Sequence, residues 1–541
     1  MSNASVKNDV NEAVSSVDQD ELQLEQLGYK QQLHRTWHFL ESFGASFVSL
    51  NFIGSVRTVL FLGLLAGGPA AVWSSFVVTI VFMTITALVI AEICSALPLS
   101  GSIYIWAAES AGPKYARFFG FVVACWSISA WITFAAFNSQ STANYVVSQL
   151  AVWEVDFPGG ISNGNVKWRA MIWAMSEGFL VVSIGMNYLP PRVYSGVFRF
   201  SIGIVIVDFF LNLIWLPIAV RNTYGFRSAK DVFTMTYNGT GAPAGWNWIL
   251  SLFFTAGLFG GFDASGHVAE ETKHANVTAG RGIITSVVAT GVFGFAATLL
   301  FLFCTPDLNT VFALNAPQPF VQIYALALGK GPSIFMTIIA ILSSMMSTTM
   351  LILAGSRLIF AVARDGVLPL SGWIGRVSRD GQPRNAVTVI FAFASVLLCT
   401  NLPSEVAFTS LLSSGGVATI SAYGLIPLLR FTMTPHAFKT SRFYLGKFAR
   451  PFYLVSTLWN ALIFAVMISP FFFPVNAQSF NFACVIFGFV TMFAVGSWWF
   501  TPAGNWLRQE QIEQALRSAE GRPDADVPII AVDTEILEKE K

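Results

Sequence analysis

The chain has 541 residues, 54% of them hydrophobic and only 11% charged, with a mean hydropathy of +0.61. A soluble domain carries roughly 25% charged residues, and long stretches here lack the apolar–polar alternation of a soluble fold, so composition places the chain in a lipid bilayer. A formal net charge of +1, with no basic cluster, gives nothing in favour of a nucleic-acid partner, and none is expected.

In chain order, residues 1–37 are polar and carry no basic-then-apolar signal peptide. They are expected to form a cytosolic N-terminal tail, with "ELQLEQLGYKQQLHRTW" (21–37) as an amphipathic helix and the first span as an uncleaved anchor. A helix crossing about 30 Å of hydrocarbon needs about 20 apolar residues. Twelve such runs fill residues 38–500: 38–64, 69–96, 115–150, 169–188, 196–220, 247–272, 281–304, 332–362, 386–401, 405–430, 451–474 and 481–500. The ninth is short and tightly linked to the tenth through "NLPSE". Residues 501–541 form a cytosolic C-terminal tail, with "NWLRQEQIEQALRSAEGR" as a second amphipathic helix and a disordered end. The expected fold is therefore all-α and integral to the membrane, with one domain of twelve transmembrane helices.

Orientation follows from Lys and Arg in short loops. With the N-terminus inside, fifteen lie at inner loops and helix ends, from Lys114 to Arg450. Only six, Lys167, Arg169, Arg221, Arg227, Lys230 and Lys330, lie outside. Both termini are thus expected in the cytoplasm. The acceptor triplet Asn238-Gly239-Thr240 falls on the outer side, although Asn3-Ala4-Ser5 and Asn276-Val277-Thr278 fall inside. Cys94, Cys125, Cys304, Cys399 and Cys484 are scattered through apolar segments without metal or disulfide spacing.

Spans one and six share an oddity. The first carries Gly44, Ser46, Ser49, Asn51, Gly54 and Ser55, followed by Arg57; the sixth reads "FTAGLFGGFDASGHVAEE" around Asp263. Small residues often serve only close helix packing. Two glycine-interrupted spans at matching positions of two five-helix halves instead indicate the discontinuous helices of an inverted-repeat transporter. Each half-helix would expose free N–H groups at one end, which attract a carboxylate, and free carbonyls at the other, which attract a cation.

Several longer stretches resemble a known family. "AEICSALPLSGSIYIWAAESAGP" (91–113), "GGFDASGHVAEETKHANVTAGRGI" (260–283) and "GSRLIFAVARDGVLPLSGWIGRV" (355–377) are similar to signatures of amino acid–polyamine–organocation (APC) superfamily permeases. "LGYKQQLHRTW" (27–37) and "FYLGKFARP" (443–451) resemble the fungal amino acid and choline transporter group, which includes the GABA permeases. The resemblance runs from about residue 27 to 500. It implies a leucine-transporter-like five-plus-five inverted repeat with discontinuous helices 1 and 6, and substrate held between helices one, three, six, eight and ten. Carried over, the substrate-binding candidates are Ser49, Asn51, Gly54, Ser55 and Arg57 on span one, and Phe259, Gly260, Gly261 and Asp263 on span six. Ser129, Ala130 and Thr133 would line span three, and Thr349 with Met350 span eight. "SLNFIGSVRT" (49–58) departs from the GABA permeases, which usually lack an arginine there and are one residue shorter; this argues away from GABA itself.

The intramembrane charges each carry two readings. Arg57 is either a residue snorkelling to the outer interface or a fixed cation paired with Asp263 or a substrate carboxylate. Asp208, in "IVIVDFFLNLIW", is either a structural partner or the carboxylate that carries a coupling proton. Glu177 in span four carries the same two readings, with a polar groove as a third setting. Glu92, Glu270, Glu271 and Arg357 gather at the inner ends of spans two, six and eight, as gating ion pairs or as static caps. Phe52, Trp131, Phe259 and Phe262 lie near the inferred cavity and could stack on a substrate.

An enzyme would need a polar catalytic cluster, yet His34, His38, His267, His274 and His436 sit in the tail or near inner ends; a channel would need a repeated filter. The expected function is a secondary active transporter of amino acids or related small nitrogenous metabolites, driven by protons, with no metal and no cofactor. The alternative is a carrier of choline, thiamine or a polyamine. An inward-pointing Arg57 would repel a cation about 6 Å away by about 3 kcal/mol at an effective dielectric of about 20, which favours a carboxylate-bearing substrate. The partners expected are that substrate and the bilayer, of the plasma membrane or else the vacuole; oligomeric state stays open.

Overall fold

The computed structural model describes residues 20–25, 27–403, 405–476 and 480–501. Among them the chain is helical throughout, with only two isolated bridges, Trp37 to Thr272 and Ala66 to Asn238. Nine helices are long and apolar enough to cross a membrane. The other three runs are the interrupted span six, the short Arg384–Cys399 and Glu405–Thr432. Every run of the sequence thus has its helix.

Several helices between spans are too short for a hydropathy signal, among them Ile103–Ala111, Ala229–Thr234 and Pro319–Leu328. The first packs against spans three and ten, and the last against spans three, five and eight. Span eight, Lys330–Arg364, lies at the centre, with 72% of its apolar stretch buried by protein; span twelve, Ala483–Phe500, has 11% buried. The outward rings of Phe489, Phe493 and Phe500 therefore face lipid.

The N-terminal segment is not the extended amphipathic helix that its pattern predicts. Among the described residues of that segment, only 20–25 are helical. Leu24, Leu27, Tyr29, Leu33 and Trp37 are buried in the body of the protein. Trp37 N–H donates to the Glu271 carbonyl at 2.9 Å, and Lys273 N–H to the Trp37 carbonyl at 2.8 Å. An apolar period can seat a strand-like segment on a protein surface as well as a helix. The helix expected at 505–522 lies outside the described residues.

Candidate functional site

Span one breaks at a single residue. Phe39–Leu50 and Phe52–Leu65 are helical, and Asn51 between them adopts φ 36°, ψ 62°. Asn tolerates this left-handed conformation better than most residues. Its side chain then caps the second half, accepting from Gly54 N–H at 3.3 Å. Gly54 is needed there, because a methyl would come 2.8 Å from Asn51 Nδ2. The non-helical stretch expected over 49–55 is thus shorter, because one Asn cap suffices to restart the helix. The carbonyl that Ser49 loses from the helical ladder accepts from the Ser347 hydroxyl at 3.3 Å, and Ser343 donates to Asn51 Oδ1 at 3.3 Å.

Span six unwinds over a longer stretch. Leu252–Gly257 and Ala264–His267 flank turns that include Gly261 at φ 98°. The freed N–H of Gly261 donates to the Tyr423 hydroxyl at 3.1 Å, and that hydroxyl donates to Asp263 Oδ1 at 2.5 Å. The freed Phe262 carbonyl accepts from Ser46 at 2.6 Å, so the N-terminal half of span one packs directly on the break. Asp263 Oδ2 lies 3.1 Å from His267 Nε2, one helical turn on. Around this pair, Phe262 stacks on Tyr423 with centroids 4.3 Å apart, and Trp131 meets His267 edge-to-face at 5.2 Å. Asp263, His267, Tyr423 and Trp131 are all buried. Backbone groups freed by a break inside a membrane must find partners, and here they find the side chains of spans one and ten.

Arg57 neither snorkels nor reaches Asp263. Its guanidinium forks onto Asp208 of span five, with NH1 to Oδ1 at 2.7 Å and NH2 to Oδ2 at 2.5 Å. Nε donates to the Tyr145 hydroxyl at 3.1 Å and NH1 to the Tyr324 hydroxyl at 3.1 Å. Asn212 closes the network, donating to Asp208 Oδ1 at 3.0 Å and accepting from Tyr324 at 2.6 Å. Arg57 is 0% exposed and Asp208 1%. This cluster is neutral and ties span one to spans three and five and to the Pro319–Leu328 helix. In this arrangement Asp208 is a paired rather than a lone carboxylate, as in its structural-partner reading, and Arg57 meets Asp208 rather than Asp263.

At the end of the bundle that carries the N-terminal segment, Glu271 accepts from Arg357 Nε at 2.7 Å, and Arg357 NH2 donates to Gln382 at 2.6 Å. Glu270 pairs with Arg364 through two bonds of 2.9 and 3.0 Å and accepts Ser100 N–H at 2.9 Å. Glu92 stands apart from this group. It accepts from Tyr453 at 2.5 Å and from Leu445 N–H at 2.9 Å, near Arg430. Glu177 accepts from Ser395 of span nine at 2.8 Å.

The remaining candidates divide by helical phase. Ser49 spends its hydroxyl on the Ala45 carbonyl of its own half-helix, whereas Ser55 reaches back across the break to the Leu50 carbonyl. Ser129 bonds the Trp126 carbonyl, and Thr133 packs against Gly415 of span ten; neither touches the break. From span three it is Trp131 and Phe134 that approach Gly261 and Gly260. Thr349 turns away from the centre toward Met186, and Ser343 and Ser347 take the place expected of it. Phe259 packs toward Phe76, and Phe52 toward Phe209 and Phe293, so neither ring faces the centre with Phe262. His267 and Tyr423 were not among the expected site residues, although the i, i+4 spacing of Asp263 and His267 on a broken span signals the pair.

A family model described as "Amino acid permease" matches residues 39–492. The thiamine transporter thi9 of Schizosaccharomyces pombe is 43% identical over 520 residues, covering 92% of this chain and 88% of that protein. The amino-acid permease BAT1 of Arabidopsis thaliana is 26% identical over 516 residues, covering 91% and 96%. Among solved structures, the manganese transporter of Eremococcus coleocola aligns with a TM-score of 0.55 at 11% identity, over 90% of this chain and 99% of that one, which shows a common fold. With its interrupted first and sixth spans, this multi-pass membrane protein belongs to the amino acid permease family of the APC superfamily of transporters.

Proposed function

We propose that this permease imports thiamine, or a closely similar heteroaromatic cation, across the plasma membrane. The observation that carries this reading is the Asp263 carboxylate in the span-six break, with the rings of Phe262, Tyr423 and Trp131 around it. A buried carboxylate attracts a cation, and aromatic faces add about 2 kcal/mol for a desolvated one. The arginine that would have favoured an anion is neutralised by Asp208. The 43% identity to a thiamine transporter supports the same choice.

An amino acid is the second reading, favoured by the family description and the likeness to BAT1. A zwitterion would set its ammonium on Asp263 and its carboxylate on freed N–H groups. The two separate in a yeast strain lacking thiamine uptake and expressing this chain. Saturable [3H]thiamine uptake is expected, unaffected by a large excess of GABA or other amino acids. Amino-acid uptake without thiamine uptake would establish the second reading.

A further inference from the structure

We propose that Asp263 and His267 form a proton-binding site, and that the proton held there crosses the membrane with the substrate and leaves toward the inner loop after span two. This rests on the reading of the chain as an importer for its direction, but the proton site itself stands on geometry. His267 Nε2 lies 3.1 Å from Asp263 Oδ2. On its other side, Nδ1 lies 2.6 Å from the Ser102 hydroxyl and 3.3 Å from the Ser100 carbonyl. All four residues are buried.

These partners suit the ring in two protonation states. When the ring is neutral, Nε2–H donates to the carboxylate and Nδ1 accepts from the Ser102 hydroxyl. When Nδ1 takes a proton, the hydroxyl rotates to accept it, with the Ser100 carbonyl beside it. Neither state leaves a buried nitrogen unpaired, which would cost about 1–3 kcal/mol. A histidine that served only to brace the break would need one fixed set of partners. Asp208, by contrast, has both oxygens on Arg57.

The surroundings leave the pair electrically isolated. Tyr423 of span ten bonds Asp263 Oδ1, Trp131 of span three meets the ring edge-on, and the Cys94 thiol of span two lies near Asp263. Spans one, seven and eight also pack here. Their charges are engaged elsewhere: Glu41 with Ser195, Arg357 with Glu271, and Arg281 exposed. On span six itself, Glu270 and Glu271 are held by Arg364 and Arg357. Ser100 N–H also bonds Glu270, so the ring bridges the break to the inner ion pairs. Uptake adds one proton to Nδ1 and release returns it to water once the inner loop parts from span six; no other bond forms or breaks.

Two measurements test this. In purified protein labelled with 15N-histidine, the His267 resonance, identified by its absence in His267→Gln, should move between pH 4 and pH 9, and Asp263→Asn should alter that change. A resonance unchanged from pH 4 to 9 overturns the proposal, whatever the substrate. In liposomes, wild type should accumulate [3H]thiamine when the outside is made acid, and His267→Gln should lose at least tenfold of that accumulation. An accumulation ratio in His267→Gln that still follows the pH gradient also overturns it. Wild-type liposomes that move no thiamine would refute the substrate reading alone, leaving the histidine titration to decide the proton site.

Discussion

Asp208 and Asp263 are both buried aspartates in membrane spans, and their neighbours set them apart. Asp208 neutralises a guanidinium that has no water to turn to. Removing one partner of such a pair leaves an unpaired buried charge and costs about 3–5 kcal/mol, whereas replacing both with apolar groups is often close to neutral. Asp208→Asn should therefore lower the melting temperature or the folded yield sharply, and Arg57→Met with Asp208→Leu should recover most of it. An Asp208→Asn protein with wild-type thermal stability that has lost only pH-driven accumulation would restore Asp208 as the proton carrier. A third carboxyl, Glu109, sits on the Ile103–Ala111 helix outside the spans, with Oε2 unpaired. Burial raises its carboxyl pKa well above the usual value. The folded state then holds a proton that the unfolded chain releases above about pH 4.3, so this group's contribution to stability falls as pH rises, by at most about 1.4 kcal/mol per unit. Glu109→Gln cannot titrate. Its melting temperature should match wild type near pH 5 and pull ahead toward pH 8; a gap that stays constant with pH would show that Glu109 is not held protonated.

At the scale of the element, the two interruptions were legible and the residues facing them were not. Glycines clustered with polar groups mark a helix that cannot run straight through, and Asn51 and Gly261 are where the backbone turns left-handed. Side-chain direction is a finer matter. Each residue turns a helix by about 100°, so an error of two positions exchanges opposite faces. That is the distance from Thr349 to Ser347 on span eight, and from Ser129 or Thr133 to Trp131 on span three. Composition does not fix this phase; packing against neighbouring helices does. Span six shows how tight that packing is. A methyl on Gly266 would come 2.5 Å from the Trp106 ring, whose Nε1 is fixed on the Leu97 carbonyl at 3.0 Å. The indole cannot yield, and overpacking of this kind costs about 1–3 kcal/mol. Gly266→Ala should melt several degrees below wild type, and Gly266→Ala with Trp106→Phe should regain part of the loss. A Gly266→Ala protein as stable as wild type would mean that span six rests on the Ile103–Ala111 helix more loosely than this.

Over the whole molecule, hydropathy located all twelve spans because bilayer thickness sets a length that apolar runs must meet. The Pro319–Leu328 helix carries Tyr324 of the Arg57 cluster, and residues 27–37 carry Tyr29 and Trp37; both escaped, being too short or too polar for that criterion. Yet these two segments complete the closures above and below the breaks. On one side, Arg57, Asp208, Tyr145, Tyr324 and Asn212 join span one to its neighbours. On the other, Trp37 sits between the Glu271 carbonyl and the Arg357 guanidinium, and Tyr29 shares Asp365 with Tyr104. A carrier must open one closure at a time, so loosening the inner one alone should expose the centre from the inner side. Cys94, buried on span two near Asp263, reports on this directly. With Cys125, Cys304, Cys399 and Cys484 replaced by Ser, Trp37→Ala together with Glu271→Gln should speed N-ethylmaleimide labelling of Cys94 several-fold over the same background with Trp37 and Glu271 intact. Labelling that stays equally slow would mean that the N-terminal segment rests on a seal formed without it, and that the inner ion pairs are static caps on their helices.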